Sequence, residues 1–305
     1  MTDYRGRFAP SATGPLHLGS ILAALLSFLH AKYHQGQWLI RIDDLDQTRC
    51  KPVYTDEILR CLEAFALELD VDVVYQHHRL AAYQAAFDDL KHLGLLYSCH
   101  CSRKSLPRGP YPGFCVHRLG QPLDERWAIR MDTTDLDPCV DDLLLGVQHT
   151  ERPGDLIVKR RDGLFAYQLA CAVDEHLDQV THVIRGIDLL ESTPMQRLIA
   201  SKLSYHRPSY GHFPVIVGQD GAKLSKQTFA ESVDWSAPGK TYATLALLLL
   251  LTDTPAPEEA AMVWRKYFES LNHPESLFRH ASRHVWHLQK RRHQDQHCNQ
   301  HSHSN

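Results

Sequence analysis

Arg7-Phe8-Ala9-Pro10-Ser11-Ala12-Thr13-Gly14-Pro15-Leu16-His17-Leu18-Gly19-Ser20 joins a short apolar strand end, a loop punctuated by Pro and Gly, and a His-x-Gly helix start. The strand end delivers Arg7 and Ser11 to a pocket, and the helix that follows offers unpaired N–H groups and the positive end of its dipole. Such a corner suits phosphate, and the whole run suits a nucleoside triphosphate. Leu18, Ile21, Leu22, Leu25, Leu26 and Leu29 recur at steps of three and four, one apolar stripe on a helix that Gly36 closes. Trp38-Leu39-Ile40-Arg41-Ile42 follows as a mostly apolar strand bounded by acidic residues. Strand, loop, helix, strand opens an α/β fold with a parallel sheet of Rossmann type. Ligands of such sheets bind at strand carboxyl ends, so the Ala9 to Ser11 and Asp43-Asp44-Leu45-Asp46 corners are expected around one crevice.

The glycine spacing matches neither the dinucleotide fingerprint nor the phosphate loop that ends in Gly-Lys-Ser/Thr. A second phosphate device stands far downstream, in Gly221-Ala222-Lys223-Leu224-Ser225-Lys226-Gln227, where two lysines lie three apart on a glycine-led loop. With His17 they are positioned to clamp one triphosphate from two sides and neutralise charge that builds on the α-phosphate during in-line attack.

His17-Leu18-Gly19-Ser20 resembles the His-Ile-Gly-His signature of class I aminoacyl-tRNA synthetases, and Lys223-Leu224-Ser225-Lys226-Gln227 resembles their Lys-Met-Ser-Lys-Ser loop. Arg7-Phe8-Ala9-Pro10-Ser11, Arg41-Ile42-Asp43-Asp44-Leu45-Asp46 and Thr181-His182-Val183-Ile184-Arg185-Gly186 narrow the likeness to the glutamyl-tRNA synthetase group. The resemblance implies a class I catalytic domain over residues 1–237, with an insertion near 97–185 that carries a zinc loop. Of the 305 residues, few follow the lysine loop, too few for the anticodon-reading domain of full-length glutamyl-tRNA synthetases. The expectation is therefore a truncated paralogue of that group, of the kind that attaches glutamate to queuosine in the anticodon of tRNA(Asp).

The chain is 43% hydrophobic and 23% charged with a formal net charge of −3, so any attraction to RNA is local rather than global. A charged, catalytic-looking strand begins almost at Met1, which leaves no visible signal segment. The apolar run Thr241 to Leu251 is far too short to span a bilayer and reads as a buried helix. A monomeric cytoplasmic enzyme with no membrane association is expected. Most of the eight cysteines are scattered and expected to be reduced thiols. The exception is Cys99-His100-Cys101, followed by Tyr111 and Cys115 in a Pro/Gly-rich loop, where close thiolates can supply most of a tetrahedral zinc site. On chemistry alone the fourth ligand stays open, since His100 and His117 are commoner ligands than a phenol. The resemblance implies Cys99, Cys101, Tyr111 and Cys115, and a structural role.

A glutamate substrate needs a cation for its side-chain carboxylate and an anion for its ammonium, and Arg7, Arg185 and Asp43 are such groups. By resemblance Arg7, Phe8, Ala9, Pro10, Ser11, Asp43, Tyr167 and Arg185 line the glutamate site, with Asp43 on the ammonium and Tyr167 shaping the pocket. Relatives commonly carry glutamate where Asp43 stands, one methylene longer. ATP, accompanied by Mg²⁺, is expected at His17, Gly19 and Lys226, and catalysis at His17, Lys223 and Lys226. Taken singly, Asp43, Asp44 and Asp46 also read as a solvated strand end or a Mg²⁺ cluster, and Tyr167, in the alternating Phe165-Ala166-Tyr167-Gln168-Leu169, as half-buried strand. Asp174 and Glu175 have no assigned role. Arg103, Lys104, Arg108, Lys159, Arg160 and Arg161 are candidate phosphate contacts. A non-catalytic glutamyl-adenylate-binding paralogue, or glutamylation of tRNA(Glu), are the alternative functions.

Period predicts helices over Asp56 to Phe65, Leu80 to Leu93 and Asp188 to Leu203, and a short strand over Pro214 to Val217. A helical appendage is expected over 238–290. The His-rich tail, 291–305, is expected to be disordered.

Overall fold

The computed structural model describes residues 4–102, 104–213, 232–241 and 245. Strand β1 (Arg5–Phe8) and strand β2 (Gln37–Ile42) run parallel, with Arg5 opposite Gln37 and Phe8 opposite Ile40, and helix α1 (Leu18–Tyr33) connects them. Ile21, Leu25 and Leu26 of its apolar stripe are at most 1% exposed and pack in one core with Trp38, Ile40 and Ile42 of β2. The opening unit is thus the one its periodicity predicts.

The end of α1 differs in one detail. The left-handed position belongs to Gln35, with φ of 53°, and not to Gly36. The Gln35 and Gly36 N–H groups donate to the carbonyls of Lys32 and Ala31, which closes the last turn. Gly36 has its own constraint, because a Cβ there would lie 2.4 Å from the Tyr4 carbonyl oxygen. Close approach, rather than helix closure by a positive φ, requires the glycine.

Helix α2 (Pro52–Ala64), which begins a turn before its expected start at Asp56, strand β3 (Val74–Tyr75), which was not expected, and helix α3 (Leu80–His92), close to its expected bounds, follow. Strands β4 (Leu96–Cys99), β5 (Ala128–Met131), β6 (Cys139–Asp142), β7 (Gly146–His149) and β8 (Leu156–Lys159) come next. Helix α4 (Tyr167–Leu177), strand β9 (His182–Gly186), helix α5 (Ser192–Lys202) and strand β10 (Ser209–Phe213) complete the described elements. The large sheet has the order β3-β2-β1-β9-β10-β6-β7, and β4-β5-β8 form a separate antiparallel sheet.

The expected all-parallel sheet is therefore a mixed one. Pairing is parallel from β3 to β6, whereas β6 and β7 are antiparallel because the three residues between them make a tight turn and cannot form a crossover. Of the stretch 97–185, β6, β7 and β9 lie in the large sheet.

The alternating run Phe165 to Leu169 is not a strand. It leads into α4, whose Leu169, Ala170 and Val173 pack at helical spacing, and a five-residue pattern is too short to separate the two periods. The expected helix from Asp188 is also divided, with a 3₁₀ turn at Ile187–Leu189 before α5, which carries Pro194 in its first turn. The strand expected at Pro214 to Val217, the lysine loop and the tail lie outside the described residues, as does the appendage except for 238–241 and 245.

One buried carboxylate ties these layers together. Asp174 on α4, wholly buried, accepts from the Tyr83 hydroxyl at 2.8 Å, Gln76 Nε2 at 2.7 Å and Arg79 Nη1 at 3.0 Å, and lies 3.5 Å from Arg41 Nε. α3, α4 and β2 thus share one charged junction. Removing it strands several buried donors at once, so Asp174→Ala is expected to destabilise the fold by about 3 to 5 kcal/mol, read as a lower denaturant midpoint. A midpoint unchanged from the parent would contradict this role.

Candidate active site

The carboxyl ends of β1, β2 and β9 and the amino ends of α1 and α4 meet along one edge of the large sheet. β1 carries Arg7 and Phe8 into the Ala9-Pro10-Ser11 corner, and the Asp43 N–H donates to the Pro10 carbonyl at 2.9 Å, locking this corner to the end of β2. His17 is the N-cap of α1, its Nδ1 accepting from the Ser20 N–H at 3.3 Å. An accepting Nδ1 leaves the ring proton on Nε2, the tautomer in which Nε2 donates. Gly19 sits in the first turn of the same helix, where backbone N–H groups collect.

Arg7 is 4% exposed, and its Nε donates to Glu175 Oε1 at 3.0 Å. Arg41, fully buried, reaches the same oxygen through Nη1 at 3.4 Å and holds Asp43 through Nε at 2.7 Å. Burial alone would raise the Glu175 carboxyl, but Arg7 and Arg41 hold it below its ordinary range. Its contribution to stability is therefore present above about 4.5 and is lost as pH falls. Asp43 goes the other way, pushed up to about 6 by burial and by Asp174 against the opposing pull of Arg41.

Burial explains the difference: Asp43 keeps Arg41 as its partner at 2.7 Å, but the loss of solvent outweighs that pull, whereas Glu175 has both Arg7 and Arg41 against one oxygen. Tyr167, 38% exposed at the start of α4, stands where Arg185, Arg7 and Asp43 all act on its hydroxyl. Four of the eight residues expected around glutamate, Arg7, Asp43, Tyr167 and Arg185, thus lie within electrostatic reach of one another. Arg185 is itself heavily engaged, donating from Nε to His212 at 3.1 Å, from Nη1 to Gln196 at 3.0 Å and from Nη2 to Thr193 at 2.8 Å.

Sequence reasoning named Arg41, Asp174 and Glu175 but gave them no role. The available signal was helical: Cys171, Asp174, Glu175 and Asp178 lie at steps of three, one and three, a single face of α4. Asp44 and Asp46 turn away from Asp43, the first to His77 and the second to Thr48 and Arg160, so the three aspartates do not form a cation cluster. Lys223 and Lys226 lie outside the described residues, as does Arg103. Of the remaining candidate phosphate contacts, Lys159 pairs with Glu125 at 2.6 Å, Arg160 with Asp46 and Asp162, and Arg161 lies over the Trp127 ring at 4.5 Å, while Lys104 and Arg108 are exposed.

At the far end of β4, the sulfurs of Cys99, Cys101 and Cys115 lie within 4.8 Å of one another, a set capable of holding a metal ion. Among the described residues it is the one such group. Neither His100, stacked on Trp127 at 4.4 Å, nor His117 belongs to it. The Tyr111 hydroxyl is 3.5 Å from Cys99 Sγ and accepts from the Cys115 N–H at 2.9 Å. Gly154 makes room for this tyrosine: its φ is 71°, and a Cβ there would lie 2.2 Å from the Tyr111 carbonyl oxygen.

Residues 3–109 and 118–263 match the family described as tRNA synthetases class I (E and Q), catalytic domain. The chain is 43% identical over 298 residues to a glutamyl-Q tRNA(Asp) synthetase of Thiobacillus denitrificans, with 93% of each protein covered. It is 46% identical over 233 residues to another from Pseudomonas putida, covering 74% of this chain and 77% of that protein. Among solved structures, a glutamate tRNA ligase from Elizabethkingia meningosepticum in complex with its amino acid superposes with a TM-score of 0.63 at 24% identity, over 74% of this chain and 52% of that one. This chain spans about half the length of that protein, and the likeness is one of fold. No helix among the described residues is long and apolar enough to cross a membrane. The two matched signatures, the converging pocket and these identities lead to one conclusion: the chain belongs to the glutamyl-Q tRNA(Asp) synthetases, within the class I aminoacyl-tRNA synthetases.

Proposed function

We propose that this chain activates L-glutamate with ATP and transfers the glutamyl group to the queuosine nucleoside in the anticodon of tRNA(Asp). The observation that carries this reading is the convergence of Arg7, Asp43 and Tyr167 beside the His17 helix start. In the first step a glutamate α-carboxylate oxygen attacks the α-phosphorus of ATP, forming glutamyl-adenylate as pyrophosphate leaves. In the second, a hydroxyl on the cyclopentene ring of queuosine attacks the acyl carbon and AMP departs.

Each residue has a part suited to its surroundings. Arg7, held by Glu175, receives the side-chain carboxylate of glutamate through its planar fork. Asp43, buried beside Arg41, takes the ammonium. Phe8, Ala9, Pro10 and Ser11 form the wall between amino acid and nucleotide, and Tyr167 closes the open side. His17 donates to phosphate from Nε2, with the Gly19 turn behind it. Lys226, assisted by Lys223, stabilises the transition-state charge, and Mg²⁺ accompanies ATP.

The cysteine cluster fits structural zinc. Tetrahedral coordination at about 2.3 Å places sulfurs about 3.8 Å apart, and Cys101 and Cys115 stand at 3.7 Å. Tyr111 is the fourth ligand in this reading. On their own, burial and the Cys99 sulfur hold the phenol neutral, and only the Cys115 N–H bond favours an anionic oxygen, so a bound zinc would itself have to displace the phenol proton.

Three outcomes follow. Lys226→Ala is expected to lower glutamate-dependent pyrophosphate exchange by about a hundred- to a thousandfold, about 2.7 to 4 kcal/mol, with the fold intact; near-normal exchange would remove the lysine from the mechanism. Because the ammonium needs an ionised Asp43, kcat/KM for glutamate is expected to fall as pH drops through about 6, and Asp43→Asn to be low throughout with that limb gone. Tyr111→Phe is expected to release zinc to a chelator roughly tenfold faster than the parent, and an unchanged rate would give the fourth position to another group.

The acceptor is tested by charging tRNA(Asp) with and without queuosine, and tRNA(Glu), with labelled glutamate. Label on queuosine-containing tRNA(Asp) alone is the expected result. Label on tRNA(Glu), or none on any RNA, would overturn it.

A further inference from the structure

Arg185 ends β9 beside the crevice, and its neighbours dictate how its guanidinium is held. Its Nε donates to His212 Nε2 at 3.1 Å, and its Nη2 donates to the Thr193 hydroxyl, which itself lies 3.2 Å from the same His212 nitrogen. An arginine only donates, so His212 Nε2 accepts and the imidazole is neutral with its proton on Nδ1. That proton points at Asp142 Oδ2, 2.5 Å away. His212 and the Asp142 carboxylate are wholly buried, so no water substitutes for either partner.

Asp142 divides its two oxygens between different tasks. Oδ1 accepts from three backbone N–H groups, those of Leu144 and Leu145 in the β6–β7 turn at 3.0 Å each and that of His212 at 3.1 Å. Oδ2 serves the imidazole. One carboxylate thus fastens the turn to β10 and sets the tautomer of the histidine beside it.

We propose that Asp142 and His212 are positioning residues for glutamate binding, a relay in which Asp142 fixes the His212 tautomer and His212 aims the Arg185 guanidinium at the substrate pocket. The proposal rests on the glutamate-activating function proposed above. Burial and the neighbouring Arg185 keep the imidazole from protonating, against the pull of Asp142, so the accepting nitrogen stays available. The β6–β7 hairpin then acts on amino-acid affinity through Asp142 and His212, both buried.

Asp142→Asn isolates the relay, because the amide keeps a carbonyl oxygen for the three backbone donors and puts an NH₂ group where Oδ2 stood. The imidazole must then present a donor either to that NH₂ or to Arg185. His212→Phe supplies the control background, since a phenylalanine neither accepts from Arg185 nor donates toward Asp142, while His212→Gln keeps an acceptor for Arg185. Glutamate-dependent pyrophosphate exchange is measured for the parent, Asp142→Asn, His212→Gln, His212→Phe and the Asp142→Asn/His212→Phe double variant, with melting temperatures. The expected result is a rise in KM for glutamate of about ten- to a hundredfold in Asp142→Asn, with KM for ATP within about twofold and no further rise when the same change is added to His212→Phe.

A glutamate KM equal to the parent's would overturn the relay, as would equal rises in both KM values or the same penalty in the His212→Phe background. If Asp142→Asn does not fold, His212→Phe replaces it, and a glutamate KM no higher than that of His212→Gln overturns the relay. A parent chain without glutamate-dependent exchange overturns the function and the relay together, so the two failures are told apart by the parent alone.

Discussion

The site depends on a carboxylate that has no solvent and three positive neighbours within its reach. Glu175 lies against Arg7 and Arg41 and feels Arg185, with every group at most 4% exposed. Charges buried this deeply are costly unless paired with good geometry, and the pairing here spans β1, β2 and α4. The sheet and the helix are thus held in register by the same contacts that present Arg7 at the end of β1. The Asp43 carboxyl, at the end of β2, is pushed up by burial even with Arg41 beside it. In the function proposed above, stability and amino-acid recognition are two consequences of one arrangement of charge.

Much of this was legible in the sequence where local pattern and tertiary role agree. The α1 stripe, β2 and the strand-end position of Arg7 and Asp43 follow from periodicity and from the rule that α/β sheets bind ligands at strand carboxyl ends. The mixed sheet was not, because nothing local in Cys139 to His149 announces that β6 pairs with β10 from far along the chain. The buried ladder was missed for a different reason. Charged residues inside a strand and a helix read as exposed unless their partners are known, and the partners of Arg41 and Glu175 stand more than a hundred residues away. Asp142 and His212 share that character, each intelligible only beside the other.

The cysteine cluster shows the opposite balance. Close spacing along the chain found its three sulfurs, and the structure adds why the loop needs Gly154 and where Tyr111 sits. It lies at the end of β4, in the separate antiparallel sheet, whereas the converging pocket lies on the large sheet. The chain thus holds two distinct features: a buried charge network across β1, β2 and α4, and a three-sulfur group able to hold a metal ion in a stretch with a small core of its own.

The account turns on Glu175 holding Arg7 in place for the side-chain carboxylate of glutamate. Titration calorimetry of glutamate into the Glu175→Gln variant tests this most directly, because the amide keeps the shape and one acceptor while removing the charge. The account predicts a folded protein that binds glutamate at least about tenfold more weakly than the parent. Binding equal to the parent's, with the variant folded, would contradict it.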